Sequence, residues 1–252
     1  MEQLCMNKSI VKQFYTDIIG QQNAHAVDRL LTDDYIQHNP MVKTGKAGLL
    51  ETLEILKSLP KDANQPTPEL GMMAEGDLVF THFKVAFAGQ QKLVAEMFRL
   101  ENGLIAEHWD AIQAIDDYAW EQVITMSNGQ QAAQALTDVS HRKIQQLYDK
   151  VLLLRQYENL ERFLVANVTL HAPDVTQGIE RWVARHRKYK VDKVHRVVVE
   201  GNMVAVQSSG IVNGKAHVIY AMYCLDEKAH ISKHWLTVQA IPAQMAHNNG
   251  MI

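Results

Sequence analysis

From Val11 to Ile19 the apolar residues recur three and four positions apart, the spacing of one face of an α-helix. AHAVDRLL, from Ala24, predicts a second short helix. DDYIQHNP reads as an extended segment stopped by Pro40, and GKAGLLETLEILKSL as a third, amphipathic helix. Beyond SLPKDANQPTP the period changes to two. DLVFTHFKVAF, KLVAEMFRL and LIAEHWDAIQAI read as strands, joined by a turn at Gly89 and a hairpin turn at Glu101–Gly103. Helices first and a strand meander after predict an α+β fold, with helices packed on one face of a curved antiparallel sheet.

The order then repeats. Tyr15, Arg29, His38, Pro40 and Gly45 meet Tyr148, Arg162, His171, Pro173 and Gly178 at one offset of 133 residues. Met97 in MFRL meets Met222 in MYCL at an offset of 125, and His108-Trp109 meets His234-Trp235 at 126. A register that shifts only at loops predicts two domains of one fold. The boundaries fall at 1–116 for the first domain, 117–137 for a linker in which SNGQQ breaks any pattern, 138–245 for the second domain and 246–252 for a tail.

Alternation assigns the strand faces. In Leu104–Ile115 one face takes His108 and Asp110 with Leu104, Ala106, Ile112 and Ala114; the other takes Glu107, Trp109 and Gln113. If the first face is the helix-covered one, Asp110 enters an apolar pocket, and burial raises a carboxyl pKa toward that of a working base. The alternative is a solvated Asp at a half-exposed strand end. The copies differ here: His82 becomes Gln207, Glu96 becomes Ala221 and Asp110 becomes Leu236, while His38 and His108 persist as His171 and His234. Joint loss of a carboxylate and a His partner is the pattern of a copy that has stopped doing chemistry. His82 is therefore read as functional. His38 is read as pocket lining held by a structural hydrogen bond. Glu96 alternates with Phe98 and is either a second inward acid or, the favoured reading, an ion-pair partner of Lys84 or Arg99.

Composition narrows the function classes. Nearly half of the 252 residues are apolar and the net charge is −3, which gives no footprint for nucleic acid or an anionic membrane. RWVARHRKYK is one basic helix in an acidic chain, weak grounds for a nucleic-acid partner. No apolar run approaches the roughly 20 residues of a membrane span, and no signal peptide is read at the start. Two cysteines, Cys5 and Cys224, form no disulfide or zinc framework, so a reducing, cytoplasmic setting is expected. His38, His82, His108 and Asp110 lack the close spacing of a metalloenzyme motif, and no metal is expected.

VAEMFRLENGLIAEHWDAIQ, with YIQHNP and GDLVFTHFK upstream, resembles the SnoaL-like polyketide cyclases. More narrowly, it is similar to the aldol-condensation-catalysing members of the nuclear-transport-factor-two-like superfamily. The resemblance is good over Val11–Ile115 and weak over Ile144–Ile241. It implies two tandem cone-shaped domains, each enclosing an apolar cavity, and cofactor-free chemistry on a small apolar or carbonyl-containing ligand. By the Trp-Asp motif, Asp110 would be the general acid/base, with His82, His108 or Tyr35 stabilising an enolate. Tyr35, His38, Glu96, Phe98, Phe80 and Ile112 would line the pocket. Family members carry one domain and form homodimers, so two copies in one chain would pack as an internal pseudo-dimer. Trp109 and Trp235 are candidates for its interface, and further homodimerisation stays open. A non-catalytic ligand-binding module and a plain scaffold are the competing functions for such a fold.

Overall fold

The computed structural model describes residues 2–58, 68–87, 89–116, 134–172 and 175–252. Most of SLPKDANQPTP, SNGQQ with linker residues 117–133, and Pro173 lie outside the described residues.

In the first half, α1 (Glu2–Gln13) runs into a π-helical turn (Phe14–Gly20) and then α2 (Ala24–Leu30), capped by Asn23, whose side chain accepts from His25 N–H. β1 (Leu31–Gln37) and α3 (Gly45–Ser58) follow. The strands β2 (Gly71–Glu75), β3 (Leu78–Phe87), β4 (Gln90–Glu101) and β5 (Leu104–Ala114) complete a sheet of order β1-β5-β4-β3-β2. The β4–β5 hairpin turns through Asn102 and Gly103, both at positive φ, the conformation a tight two-residue turn needs. One pair departs from the antiparallel expectation: β1 runs parallel to β5. The sequence pattern also passes over β2, a five-residue strand of small and sulfur-bearing residues without alternation.

The second half starts with α4 (Gln134–Leu147), which begins inside the stretch assigned to the linker. A π-helical turn (Tyr148–Leu152) and a short 3-10 turn (Leu160–Arg162) follow, then β6 (Leu164–His171), β7 (Val175–Gln177) and α5 (Ile179–His186). β8 (Tyr189–Glu200), β9 (Met203–Val212), β10 (Lys215–Leu225) and β11 (Ile231–Ala240) complete the second sheet. Its order, β7-β6-β11-β10-β9-β8, is that of the first sheet with β7 added at the edge. β6 and β11 again form the parallel pair.

Each sheet is buried on both faces. On one face the helices close a core, with Val11, Phe14, Ile18 and Leu53 against Val79, Phe98 and Ile105 in the first half. The other faces pack on each other: Met73, Phe80, Met97 and Trp109 share a buried cluster with Met203, Tyr220, Met222 and Trp235. Polar bonds repeat across this seam with twofold reciprocity. Val238 N–H donates to Gln113 Oε1 and Ile112 N–H to Gln239 Oε1; Val199 N–H donates to Glu75 Oε2 and Ala74 N–H to Glu200 Oε2. Each residue and its repeat partner make the same bond in opposite directions, the signature of an isologous interface.

Candidate active site

Register decides what the helix-covered face of the first sheet presents. Thr81 lies opposite Glu96, Glu96 opposite Asp110 and Phe98 opposite His108, so these five side chains share that face. The π-helical turn widens the end of α1 and brings Tyr15 over them. Its hydroxyl donates a hydrogen bond to Glu96 Oε2, and Thr81 Oγ1 sits 2.6 Å from the Tyr15 hydroxyl oxygen. Burial first, and the Glu96 charge second, hold the Tyr15 pKa well above its ordinary value, so the phenol keeps its proton as donor. Phe98 stacks on the His108 ring at 4.6 Å, and Phe14 and Tyr15 pack edge-on to Phe98. The result is a buried aromatic cluster with two carboxylates and one imidazole on its floor.

The end of β1 sets the state of that floor. Gln37 Oε1 accepts from His38 N–H, Asn39 N–H and His108 Nδ1, each at 2.9 Å, while Gln37 Nε2 donates to the Tyr35 hydroxyl. Three donors converging on one oxygen fix the amide orientation and place a proton on His108 Nδ1. His108 Nε2 then faces the carboxylates, 3.9 Å from Glu96 Oε2. Asn39 Nδ2 donates to Asp110 Oδ2 at 2.5 Å. Asp110 Oδ1 and His108 Nε2 are both fully buried and have no hydrogen-bond partner among the described residues. Seven other buried side-chain atoms among the described residues, His234 Nε2 included, share this condition, so it is the pairing of an acid and an imidazole that singles these two out.

Charge follows from burial. Asp110 is pushed up to about 6, chiefly by desolvation, with the His108 charge opposing and Glu96 reinforcing. Desolvation alone would lower His108, but the nearby Glu96 carboxylate, with the Asp110 charge behind it, outweighs that and leaves its pKa raised. One donor atom from each of Glu96, His108 and Asp110 lies within 4.8 Å of the others, compact enough for a divalent ion.

Residues 11–108 match the SnoaL-like domain family. The first half of this chain contains a SnoaL-like domain. No curated protein matches. Solved structures similar to the chain include TsrD from Streptomyces laurentii, at 20% identity over 43% of this chain and 89% of its own, with a TM-score of 0.36. An NTF2-like protein of unknown function from Cytophaga hutchinsonii is 22% identical over 44% of this chain and 92% of its own, with a TM-score of 0.34. An LEH-like epoxide hydrolase from M. tuberculosis is 14% identical over 41% and 84%, with a TM-score of 0.35.

The expected site residues divide. Asp110, His108, Glu96 and Phe98 come together as described. Tyr35 is buried beside them; burial, then the Asp110 and Glu96 charges, raise its pKa well above the ordinary value. Ile112 keeps the Asp110 face by alternation and is half-buried. Glu96 turns inward, contrary to the favoured ion-pair reading, and Arg99 pairs instead with Glu107 and Glu101.

His82, Phe80 and His38 do not join the pocket. His82 lies opposite Ala95, one residue out of phase with Thr81, and so points into the seam between the sheets. There its Nε2 is 3.5 Å from Thr237 Oγ1, and burial depresses its pKa to about 3. Its repeat counterpart Gln207 bonds Tyr220 and Arg196 in the same seam, so the His-to-Gln difference reports interface packing and not lost catalysis. Phe80 shares this phase and packs on Tyr220. His38 stacks on Trp109 at 5.0 Å, with Nε2 on Glu107 and Nδ1 on Gly250 O, all outside the cluster.

Tyr15, Thr81, Gln37 and Asn39 are the site residues that the strand pattern missed. A signal for three of them was present in the repeat: Thr81, Gln37 and Asn39 become Val206, Leu170 and Ala172 in the half that loses Asp110. Tyr15 persists as Tyr148, whose hydroxyl bonds Tyr223. In the second half Trp182 Nε1–H donates to His234 Nδ1, and burial drives the His234 pKa well below normal. With Ala221 and Leu236 in place of carboxylates, nothing there favours its protonation.

Proposed function

We propose that the SnoaL-like domain is a cofactor-free general acid/base enzyme acting on a small carbonyl compound, with Asp110 as the base. The supporting observation is one carboxylate that is buried, has a pKa of about 6, is tethered through Oδ2 by Asn39 and leaves Oδ1 unengaged. Asp110 takes a proton from the carbon next to a carbonyl. The C–H electron pair becomes the enolate double bond, and the carbonyl π pair moves to oxygen. His108, proton-bearing in the field of Glu96 and Asp110, donates from Nε2 to that oxygen, where a hydrogen bond among buried groups is worth most. The enolate carbon either attacks a second carbonyl carbon or is protonated at a conjugated position. Asp110 returns its proton to the aldol oxygen or to carbon, so aldol condensation, cyclisation and isomerisation share one first step.

The aromatic rings around Asp110 support an apolar substrate. The chain pairs its own two halves where two chains would otherwise pair, and we place it in the cytoplasm, where its two free cysteines stay reduced. No helix among the described residues is long and apolar enough to cross a membrane.

The test is α-proton exchange into D2O, followed by NMR over a panel of cyclic and linear ketones with EDTA-treated protein. Exchange should rise with pH through about 6, the ionisation of Asp110, and Asp110→Asn should reduce it at least ~100-fold. Exchange that survives in this variant, or that requires added Zn²⁺, overturns the proposal. Tight binding of a ketone without exchange would establish a binding module instead.

A further inference from the structure

The segment after β11 crosses from the second half to the first and lies along residues 37–40, the stretch whose side chains set the state of His108 and Asp110. Asn249 Nδ2 donates to Gln37 O and to Thr44 Oγ1, each at 2.9 Å, and Thr44 Oγ1 also accepts Gln37 N–H. The Gln37 backbone is thus gripped on both sides while its side-chain oxygen holds His108 Nδ1. His247 Nδ1 accepts from Asn249 N–H, which leaves the proton on Nε2, and Nε2 donates to Asn39 O at 2.9 Å. Ala246 N–H donates to Pro40 O, and His38 Nδ1–H donates to Gly250 O. Met251 is buried in the apolar seam between the sheets and anchors the end of the segment.

We propose that His247 and Asn249 are positioning residues for the active site of the other half. They hold the Gln37 and Asn39 backbones, and through them the His108 tautomer and the orientation of Asp110. The reading rests on the proposed acid/base role of that pair. Neither residue touches the cluster; both act on peptide groups whose side chains do. Small losses of placement in such shells reduce turnover far more than ligand binding.

The experiment compares the full chain with His247→Ala, Asn249→Ala and the double variant. The first readout is the ring-nitrogen NMR spectrum of His108 across pH, which needs no substrate. The double variant should lose the single Nδ1–H signature of His108 and move its titration midpoint, with His186 and His234 in the other half unchanged. Ketone exchange should fall about tenfold in kcat with little change in KM, and His247→Gln, which keeps an N–H for Asn39 O, should recover part of it. If point changes leave the segment docked, as protection of the Ala246 amide on Pro40 O would report, Met251→Asp displaces it by placing a charge in the apolar seam. An unchanged His108 spectrum with the segment released overturns the proposal. If no ketone is exchanged even by the native chain, the catalytic reading fails while the His108 spectrum still decides this one.

Discussion

His108 and His234 hold the same position in two copies of one strand and are both buried, yet burial wins at one and loses at the other. At His108 two carboxylates supply more than the desolvation takes away; at His234 the partner is an indole N–H and the ring stays neutral. Asp110 carries the thermodynamic cost of this arrangement. Its folded pKa of about 6 exceeds the ordinary aspartate value of 3.8, so between these values the folded state holds a proton that the unfolded chain has released. Stability therefore falls as pH rises through that window and stays lower above it. A shift of about two units corresponds to on the order of 3 kcal/mol. Asp110→Asn, which keeps an acceptor for Asn39, should be more stable than the native chain by about 1–3 kcal/mol at pH 7.5 and indistinguishable near pH 3.5. Urea denaturation at the two pH values checks this, and equal stability at both would show that Asp110 is not desolvated in solution.

At the scale of the element, one residue of phase separates chemistry from packing. β3 offers Thr81 to the cluster and His82 to the seam, and no property of a histidine in a strand of mixed polarity tells which side is which. In β5 alternation put His108 and Asp110 on one face and Trp109 on the other but left open which face the helices cover, and both faces proved buried for different reasons. His82→Gln copies the counterpart residue of the second half and should leave exchange within about twofold of native, since it alters only seam contacts. A loss comparable to that of Asp110→Asn would return His82 to the cluster. The π-helical turns were beyond pattern reading. Both fall at the end of a first helix, at Tyr15 and Tyr148, and a single widened turn leaves apolar spacing almost unchanged while it redirects a side chain.

At the scale of the molecule, the halves are joined by a seam with its own reciprocal hydrogen bonds, and the candidate site is completed from the far half by the segment that bears His247 and Asn249. Gln113→Ala and Gln239→Ala each leave one backbone N–H, of Val238 or Ile112, without its acceptor. Each should cost about 1–3 kcal/mol, and the two should destabilise the chain to similar extents if the twofold reciprocity is real. Denaturant midpoints of the two single variants and the double variant check this. A large asymmetry would mean that the seam is not isologous in solution.

The linear order of residues determined the repeat, the α+β class, the strands β3 to β5 and the common face of His108 and Asp110, because these depend on spacing within one segment. Apolar period, turn residues and a fixed offset are all local quantities. Folding in three dimensions decided which face of β3 joins the cluster, that Gln37 and Asn39 reach under His108 and Asp110, and that the last residues return to hold them. Those facts depend on register between strands and on chain returning across some two hundred positions, and hydrogen-bond partners at that separation leave no period to read.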